Sequence, residues 1–204
     1  LNTCSIRENA NNKVFGMLGR IKHLKSFNKD LIVGITGCMT QEEVVTTKIL
    51  EKYKWINFVV GTHKLDKICE EVYNSISGNK LDIIAPSIEG NIIEDLPVKR
   101  DNKYKAYINI QLGCDKFCTY CIVPYTRGKQ RSRFPKDILN EVRLLKEQGY
   151  KEVILLGQNV NAYGKDLNIN YTLANLLEDV AKTGIERIRF ITSHPWDFSD
   201  EMIH

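Results

Sequence analysis

The 204-residue sequence lacks the features that would direct it to a membrane or out of the cell. No stretch approaches the roughly 18 consecutive apolar residues of a membrane-spanning helix, and the N-terminus lacks the basic-then-apolar pattern of a signal peptide. We therefore expect a cytoplasmic protein with no membrane partner. The sequence also lacks an initial methionine, and we expect it to be a piece of a longer protein.

The sequence also lacks half of a zinc site. Cys118 and Cys121 form a CxxC pair, but no second CxxC or HxxxH pair follows, and the four histidines are scattered. Structural zinc sites are closed and four-coordinate, so zinc is the less favoured interpretation. Disulfides are less favoured still, because a chain with 26% charged and 43% hydrophobic residues can bury an ordinary core without them.

The most informative feature present is a CxxxCxxC run formed by Cys114, Cys118 and Cys121. It supplies three thiolates within eight residues, which leaves a cubane iron–sulfur cluster one protein ligand short. Clusters that only store or transfer electrons are normally held by four thiolates, whereas an open iron can bind a small molecule. The spacing therefore predicts chemistry at the cluster.

Positive charge is concentrated around these cysteines. Residues 97–136 contain ten lysines or arginines and two aspartates, a net charge of +8, whereas the rest of the chain carries −4. Such a field favours a polyanion, although solvated lysines are the ordinary alternative. The basic run 127–133 lies near Tyr120, Tyr125 and Phe134 in the sequence, and guanidinium groups beside aromatic rings suit unstacked RNA bases.

The first part of the chain alternates strand and helix patterns. Apolar runs at 31–36 and 58–61 are typical of strands, and apolar stripes predict helices over 8–24, near 46–53 and over 65–76. This order predicts an α/β layer with a parallel sheet. Cys69 lies on a helix stripe and is interpreted as a small buried hydrophobic residue. Cys4 and Cys38 follow strand-like runs, where loops converge at a sheet edge and ligands collect.

Residues 78–102 have mixed polarity and are interpreted as a linker with one edge strand. Strand patterns at 106–111, 153–156 and 187–192 then alternate with helix patterns that begin at Pro135 and Thr172. This β-α-β-α-β order predicts the first part of a barrel whose active site lies at the carboxyl ends of its strands.

Several motifs resemble the radical S-adenosylmethionine (SAM) enzymes, in the methylthiotransferase branch that modifies tRNA. The cysteine loop is the first of them. The residues that follow Cys4 and those within the cysteine loop favour this branch over the related methylthiotransferases. The motifs are Cys114-Asp-Lys-Phe-Cys118-Thr-Tyr-Cys121-Ile-Val-Pro-Tyr-Thr-Arg-Gly128, Asn2-Thr-Cys-Ser-Ile-Arg-Glu-Asn-Ala10, Gly37-Cys-Met39, Gly61-Thr-His63, Leu156-Gly-Gln-Asn-Val-Asn-Ala-Tyr-Gly164 and Thr192-Ser-His-Pro195.

The resemblance implies an α/β fold: an N-terminal methylthiotransferase domain over residues 1–77, a linker over 78–102 and the first half of a radical SAM partial TIM barrel over 103–204. It also implies two [4Fe–4S] clusters and SAM. Cys114, Cys118 and Cys121 would hold the cluster that cleaves SAM reductively. Cys4 and Cys38 would hold the auxiliary cluster, with a third cysteine expected before Leu1.

By the same resemblance, the backbone of Tyr120 contacts the SAM adenine. Gln158, Asn159 and Ser193 are candidate cofactor contacts, with helix capping as the equal alternative for these three. The candidate RNA contacts are Arg127, Arg131 and Arg133. Gln130 stands where the family pattern leads us to expect an acidic residue.

The implied activity is methylthio transfer to C2 of N6-dimethylallyladenosine at tRNA position 37, by a monomer that receives electrons from a flavodoxin- or ferredoxin-like donor. Two alternatives remain open at this point. One is a sibling methylthiotransferase acting on a ribosomal protein or on threonylcarbamoyl-adenosine tRNA. The other is a non-catalytic RNA-binding module held together by a metal.

Overall fold

The structure is a computed structural model that describes residues 1–5, 8–78, 82–84, 90, 92–94 and 98–203. The chain divides into two compact units. The first unit comprises residues 1–94 together with 116–128, and the second comprises 95–115 together with 129–204. The segment 116–128, which carries Cys118 and Cys121, thus belongs with the N-terminal residues.

The first unit contains a four-stranded parallel sheet in the order β1-β2-β3-β4. Its strands are β1 (Asn2–Thr3), β2 (Gly34–Gly37), β3 (Phe58–Val60) and β4 (Asp82–Ile84). Because β4 is at the end of this order, it is the edge strand expected within the predicted linker. The rest of that linker lies largely outside the described residues.

Among the described residues of this unit, the α-helices are α1 (Glu8–Phe27), α2 (Glu43–Lys52), α3 (Ile68–Ile76) and the five-residue α4 (Val123–Arg127). Leu18 of α1 and Ile49 of α2 are fully buried in one apolar cluster with Ile35 and Val59 of the sheet. The parallel sheet and the strand-helix alternation confirm the α/β prediction for this region.

The second unit contains a three-stranded parallel sheet in the order β5-β8-β9. Its strands are β5 (Lys105–Asn109), β8 (Glu152–Leu156) and β9 (Arg187–Phe190), and its helices are α5 (Pro135–Glu147) and α6 (Leu173–Lys182). A short antiparallel ribbon of β6 (Gln111–Leu112) and β7 (Arg131–Ser132) follows the first strand. The three parallel strands and two helices match the predicted β-α-β-α-β order.

The helices of the second unit cover an apolar core. Ile138 and Val142 of α5 and Leu176 of α6 are fully buried with Ile108 and Leu155 of the sheet. Pro135 begins α5. Proline is tolerated there because the first N–H groups of a helix have no hydrogen-bond partner within the helix. Thr172 caps α6 with a capping box that includes Asn175. This core fixes the carboxyl ends of the strands.

Two details of the predicted helices are wrong. Cys69 is exposed rather than buried, because α3 turns Glu71 inward instead. The apolar stripe of α1 is only partly buried: Leu18 is enclosed, whereas Met17 and Leu24 are exposed. In α3 the buried residue thus lies outside the predicted apolar stripe, and in α1 the buried part is narrower than the stripe.

Candidate functional site

Cys4 and Cys38 lie at the carboxyl ends of two paired strands. β1 pairs with β2 in parallel, with Thr3 opposite Gly37, so each cysteine is the residue that follows a matched pair. Gly37 has φ +104° and ψ −175°, a conformation that is essentially restricted to glycine. A Cβ there would stand 2.2 Å from the Thr3 carbonyl oxygen. Glycine at position 37 therefore permits the close approach of β2 to β1, which puts the two thiols at one edge of the sheet.

The two thiols at this edge differ in environment. Cys38 is 3% exposed, whereas Cys4 is exposed. The Nε–H of Arg127 donates to the Sγ of Cys38 over 3.2 Å. Thr40 fixes the turn after Cys38 by donating to the Gly37 carbonyl at 2.8 Å. Cys38 is thus held in a defined position beside a permanent positive charge.

The CxxxCxxC loop is divided between the two units. Cys118 and Cys121 lie in the first unit, where the Cys121 amide donates to the Cys118 carbonyl at 2.9 Å and forms a tight turn. Cys114 lies in the second unit and is 8% exposed. Tyr120, the candidate adenine contact, is 91% exposed.

The donor set fits an iron–sulfur cluster chemically. All six cysteines are free thiols, so the CxxxCxxC loop offers three soft sulfur ligands of the type that such clusters require. Among the described residues, no group of three or more His, Cys, Asp or Glu side chains is already arranged to hold a metal ion. The ligand set of each predicted cluster therefore stays a prediction from sequence.

In the second unit, buried amide oxygens collect where β5 and β8 end. The side-chain oxygens of Gln111, Gln158 and Asn159 are buried, and among the described residues none has a hydrogen-bond partner. Gln111 donates its amide to the Asn159 backbone carbonyl at 2.7 Å, which fixes the orientation of its side chain. Buried acceptors without partners are costly, so this edge is suited to a ligand that donates hydrogen bonds, such as one with an amino group.

The end of β9 is strained. Thr192 has φ +72°, the one positive φ at a non-glycine residue among the described residues. A β-branched side chain is strongly disfavoured there, and such outliers cluster at functional sites. Ser193, the next residue and a candidate cofactor contact, is exposed. The structure therefore leaves Ser193 accessible at the carboxyl edge of the sheet.

Gln130 takes part in a network with Asp166. Its side-chain amide donates to Asp166 at 2.9 Å and to the Ala162 carbonyl at 2.7 Å, while its backbone amide donates to Asp115 at 2.9 Å. Ser132 donates to the same Asp166 carboxylate from its hydroxyl and its amide. An amide suits this position because an acidic side chain would face a second carboxylate and a carbonyl oxygen.

The hydrogen bonds in this network alter the titration of Asp166. Desolvation raises the pKa of its carboxyl group, but the bonds from Ser132 and Gln130 lower it, and the net pKa lies below the ordinary value of 3.8. The carboxylate form is therefore the one that the folded protein stabilises.

Lys165 and Asp197 form an ion pair at 2.6 Å beside an open cavity of about 570 Å³ that they help to line. Asp197 also accepts from the Asn159 amide at 2.7 Å. The Asn159 side chain is therefore oriented by a buried carboxylate, which leaves its oxygen as the free acceptor noted above.

The three candidate RNA-binding arginines lie in different surroundings. Arg127 is in the first unit against Cys38, whereas Arg131 and Arg133 are in the second. Arg133 pairs with Glu141 and donates to the Asn109 carbonyl, both at 2.8 Å. Desolvation lowers the pKa of Arg131 from its ordinary value. Arg127 and Arg133 thus have specific hydrogen-bond partners, and Arg131 is partly removed from solvent.

Sequence reasoning did not find Gln111, Ser132, Asp166, Thr192 or Asp197. Thr192 lies in the Thr192–Pro195 motif, but nothing in the sequence signals its left-handed backbone, because threonine rarely adopts that conformation. Gln111 carries a weak signal, since a polar residue at the end of an apolar strand pattern is unusual inside a core. The remaining three meet their partners only through the folded loops.

Comparison with known proteins then places the chain. Residues 108–204 match the Radical SAM superfamily, and residues 1–61 match a family described as Uncharacterized protein family UPF0004. The chain is 53% identical over 204 residues to a tRNA-2-methylthio-N(6)-dimethylallyladenosine synthase of Staphylococcus saprophyticus. Proteins of the same name from Shouchella clausii and Geobacillus thermodenitrificans are 55% identical over 203 residues and 54% identical over 204 residues.

The whole chain is similar to these tRNA-2-methylthio-N(6)-dimethylallyladenosine synthases, and its second part is similar to the Radical SAM superfamily. All of it aligns with these relatives, and it spans 40% of the length of the first and 39% of the other two. The match to the Radical SAM superfamily implies a [4Fe–4S] cluster and SAM. The order of the two matched families agrees with the predicted order of domains. In the part of the chain that the structure describes, no helix is long and apolar enough to cross a membrane.

Proposed function

We propose that the complete protein transfers a methylthio group to C2 of N6-dimethylallyladenosine at position 37 of tRNA. The observation that carries this proposal is the identity of 53–55% across the whole chain to relatives named for that product. The sibling activities on a ribosomal protein or on threonylcarbamoyl-adenosine tRNA are outcomes of the test below.

In this proposal Cys114, Cys118 and Cys121 hold the radical SAM cluster through three thiolates. When bound, the cluster and SAM supply the radical that activates the adenine C2–H bond, which ordinary acid–base side chains cannot do. The contribution of the chain is to leave one iron without a protein ligand, since the loop offers three sulfurs and no fourth. Free thiols at all three positions support this role.

The acceptors at the end of β8 bind and orient SAM. The unpaired oxygens of Gln158 and Asn159 accept hydrogen bonds from an amino group, and Asp197 keeps the Asn159 amide turned away from it. Tyr120, which lies between two ligands in the sequence, contacts the adenine through its backbone, and Ser193 contributes a hydroxyl from the end of β9.

Cys4 and Cys38 hold the second cluster together with a third cysteine from outside this sequence. The paired strand ends support this assignment, because Gly37 brings the residues before the two thiols into register. Two thiolates alone do not complete a coordination sphere, so the complete polypeptide is the proper material for every metal analysis.

The net charge of +8 over residues 97–136 supports a tRNA substrate. A base beside the anticodon is already unpaired or readily unstacked, which lowers the cost of presenting its edge to the site. Arg131 and Arg133 lie in this segment and are the proposed phosphate or base contacts, and Arg127 is treated separately below. The reaction takes place in the cytoplasm, with electrons from a flavodoxin- or ferredoxin-like protein.

The test is an anaerobic assay of the complete reconstituted protein with SAM and dithionite. Three substrates are compared: tRNA that carries N6-dimethylallyladenosine, tRNA that carries threonylcarbamoyl-adenosine, and ribosomal protein. We expect the methylthio product by mass spectrometry on the first alone, and none with the Cys118→Ala variant. Product on either of the other substrates, with none on the first, would overturn the assignment.

A further inference from the structure

Arg127 and Cys38 are 89 residues apart in the sequence, yet the arginine Nε–H donates to the cysteine sulfur over 3.2 Å. Both residues belong to the first unit. The basic run 127–133 suggests RNA binding for Arg127, but this contact directs its side chain to the buried thiol. The contact indicates that Arg127 acts on the sulfur of Cys38.

The local structure fixes both partners. Arg127 is the last residue of α4, and Gly128 ends that helix with φ +71° and ψ −161°, a conformation that is essentially restricted to glycine. The carbonyl of Thr126 accepts from the Thr62 hydroxyl at 3.5 Å. On the other side, Cys38 follows Gly37 in a turn that the Thr40 hydroxyl holds. The arginine therefore meets the sulfur through backbone positions that are themselves constrained.

A guanidinium group always carries its charge and only donates hydrogen bonds, so it suits a sulfur that bears negative charge. When a cysteine sulfur binds iron, hydrogen bonds to that sulfur and nearby positive charge stabilise the reduced, more negative cluster. The effect is strengthened by burial, and Cys38 is 3% exposed. A donor at this sulfur therefore raises the reduction potential of any cluster bound there.

We propose that Arg127 is a positioning residue that orients the Cys38 sulfur and raises the reduction potential of the auxiliary cluster. This inference rests on the proposed function, in which Cys38 is a ligand of that cluster. It assigns to the loop that carries Cys118 and Cys121 a second task, which is to adjust the electronic properties of the other cluster through the last residue of α4.

The test is a potentiometric EPR titration of the complete protein with Cys114, Cys118 and Cys121 changed to alanine, so that only the second cluster remains. Dithionite supplies the single electron. Arg127→Gln removes the charge, Arg127→Lys keeps it without the Nε–H group, and Arg143→Gln is the charge-matched control on the exposed side of α5. Thermal unfolding confirms that each variant is folded.

We expect the midpoint of Arg127→Gln to move to a more negative potential, that of Arg127→Lys to move less, and that of Arg143→Gln to stay at the parent value. Loss of the second cluster from folded Arg127→Gln and Arg127→Lys proteins also supports the role in orienting Cys38. A second cluster with the same midpoint in all four proteins would overturn the inference.

Two further results separate this inference from the proposals on which it rests. If the parent protein itself binds no second cluster, the assignment of Cys38 fails, and this inference fails with it. If Arg127→Gln weakens tRNA binding more than Arg143→Gln and leaves the midpoint unchanged, Arg127 is an RNA contact and the inference alone is wrong.

Discussion

The two units present different chemistry at the carboxyl ends of their parallel sheets. In the first unit, β1 and β2 end in thiols, with Cys38 buried beside Arg127. In the second unit, the strand ends carry amides and a hydroxyl, with Gln158 and Asn159 presenting unpaired oxygens. One edge is suited to soft metal–sulfur ligation and the other to an organic ligand with hydrogen-bond donors.

The same topological rule thus produces two chemically different sheet edges within one chain. Parallel strands bring their carboxyl ends together, and the residue type at those ends decides what binds there. The CxxxCxxC loop belongs to both units, with Cys114 in the second and Cys118 and Cys121 in the first. The predictions below test whether the two edges differ in function as they differ in composition.

The largest expected effect comes from removing a sulfur of the shared loop. Cys118→Ala should abolish methylthio transfer and lower the iron content of the complete protein by about four atoms, the content of one cubane. The measurement is iron and sulfide analysis after anaerobic reconstitution. The control is Cys69→Ser, an exposed cysteine on α3, which should keep all its iron. Equal iron in the two variants would contradict the assignment.

Gly37→Ala tests the thiol edge through its backbone. The new Cβ meets the Thr3 carbonyl oxygen at 2.2 Å in a conformation that alanine avoids, so we expect a loss of about 3 kcal/mol in the free energy of unfolding. Gly149→Ala in the second unit is the matched control: its φ is +89°, but nothing lies within 4 Å of the added atom. That variant should lose about 1 kcal/mol.

Urea unfolding measures both glycine variants. Equal losses would show that positive φ alone determines the cost and that the close approach of β1 to β2 is not critical. The Gly37→Ala protein should also bind less of the second cluster, because its strand ends are forced apart, whereas Gly149→Ala should bind the normal amount.

Asp166→Asn tests the polar edge. In the folded state the pKa of Asp166 lies below 3.8, so its carboxylate adds stability above the unfolded pKa, and this stability is lost as pH falls through the folded pKa. We expect the variant to lose about 1 to 2 kcal/mol at pH 7, because the three hydrogen bonds to the carboxylate are weakened and partly open to solvent. The difference from the wild type should shrink as pH falls below 3.8 and disappear once pH is below the folded pKa.

Unfolding curves from pH 7 to pH 2 measure this effect, with Asp101→Asn as the control because Asp101 is an exposed carboxylate in the same unit. A difference between wild type and Asp166→Asn that stays constant across this range would show that shape, not charge, determines the contribution of Asp166.

The smallest expected effect concerns RNA affinity. Arg131→Gln should lower the slope of log K against log salt concentration by about 0.7, the value for one contact to a single strand. Arg143→Gln on α5 is the control and should leave the slope unchanged. If Arg131→Gln also leaves the slope unchanged, Arg131 has a structural role, which its partial desolvation would explain.

Much of the fold follows from hydrophobic periodicity. The strand at 58–61 and the helix beginning at Pro135 differ from β3 and α5 by only a few residues at their ends, because apolar runs and helix-start signals are local. The helix α4 and the ribbon of β6 and β7 were not predicted. They are short, and their hydrogen bonds depend on contacts between segments distant in the sequence.

The parts of the candidate site whose residues are close together in the sequence could be predicted. The CxxxCxxC spacing is visible in eight residues, and the position of Cys38 after a strand run pointed to the sheet edge. The contact from Arg127 to Cys38 was not predictable, since it joins residues 89 positions apart. Nor was the burial of the Gln111 oxygen, which depends on how a loop from another strand covers it.

The proposed function depends on the binding of SAM to an iron that residues 114–121 leave without a protein ligand. The most direct measurement is a pair of Mössbauer and EPR spectra of the anaerobically reconstituted complete protein, recorded without and with SAM. We predict a [4Fe–4S] signal in which one iron site changes when SAM is added. A colourless zinc protein, or a cubane whose spectrum is the same with and without SAM, would contradict the account.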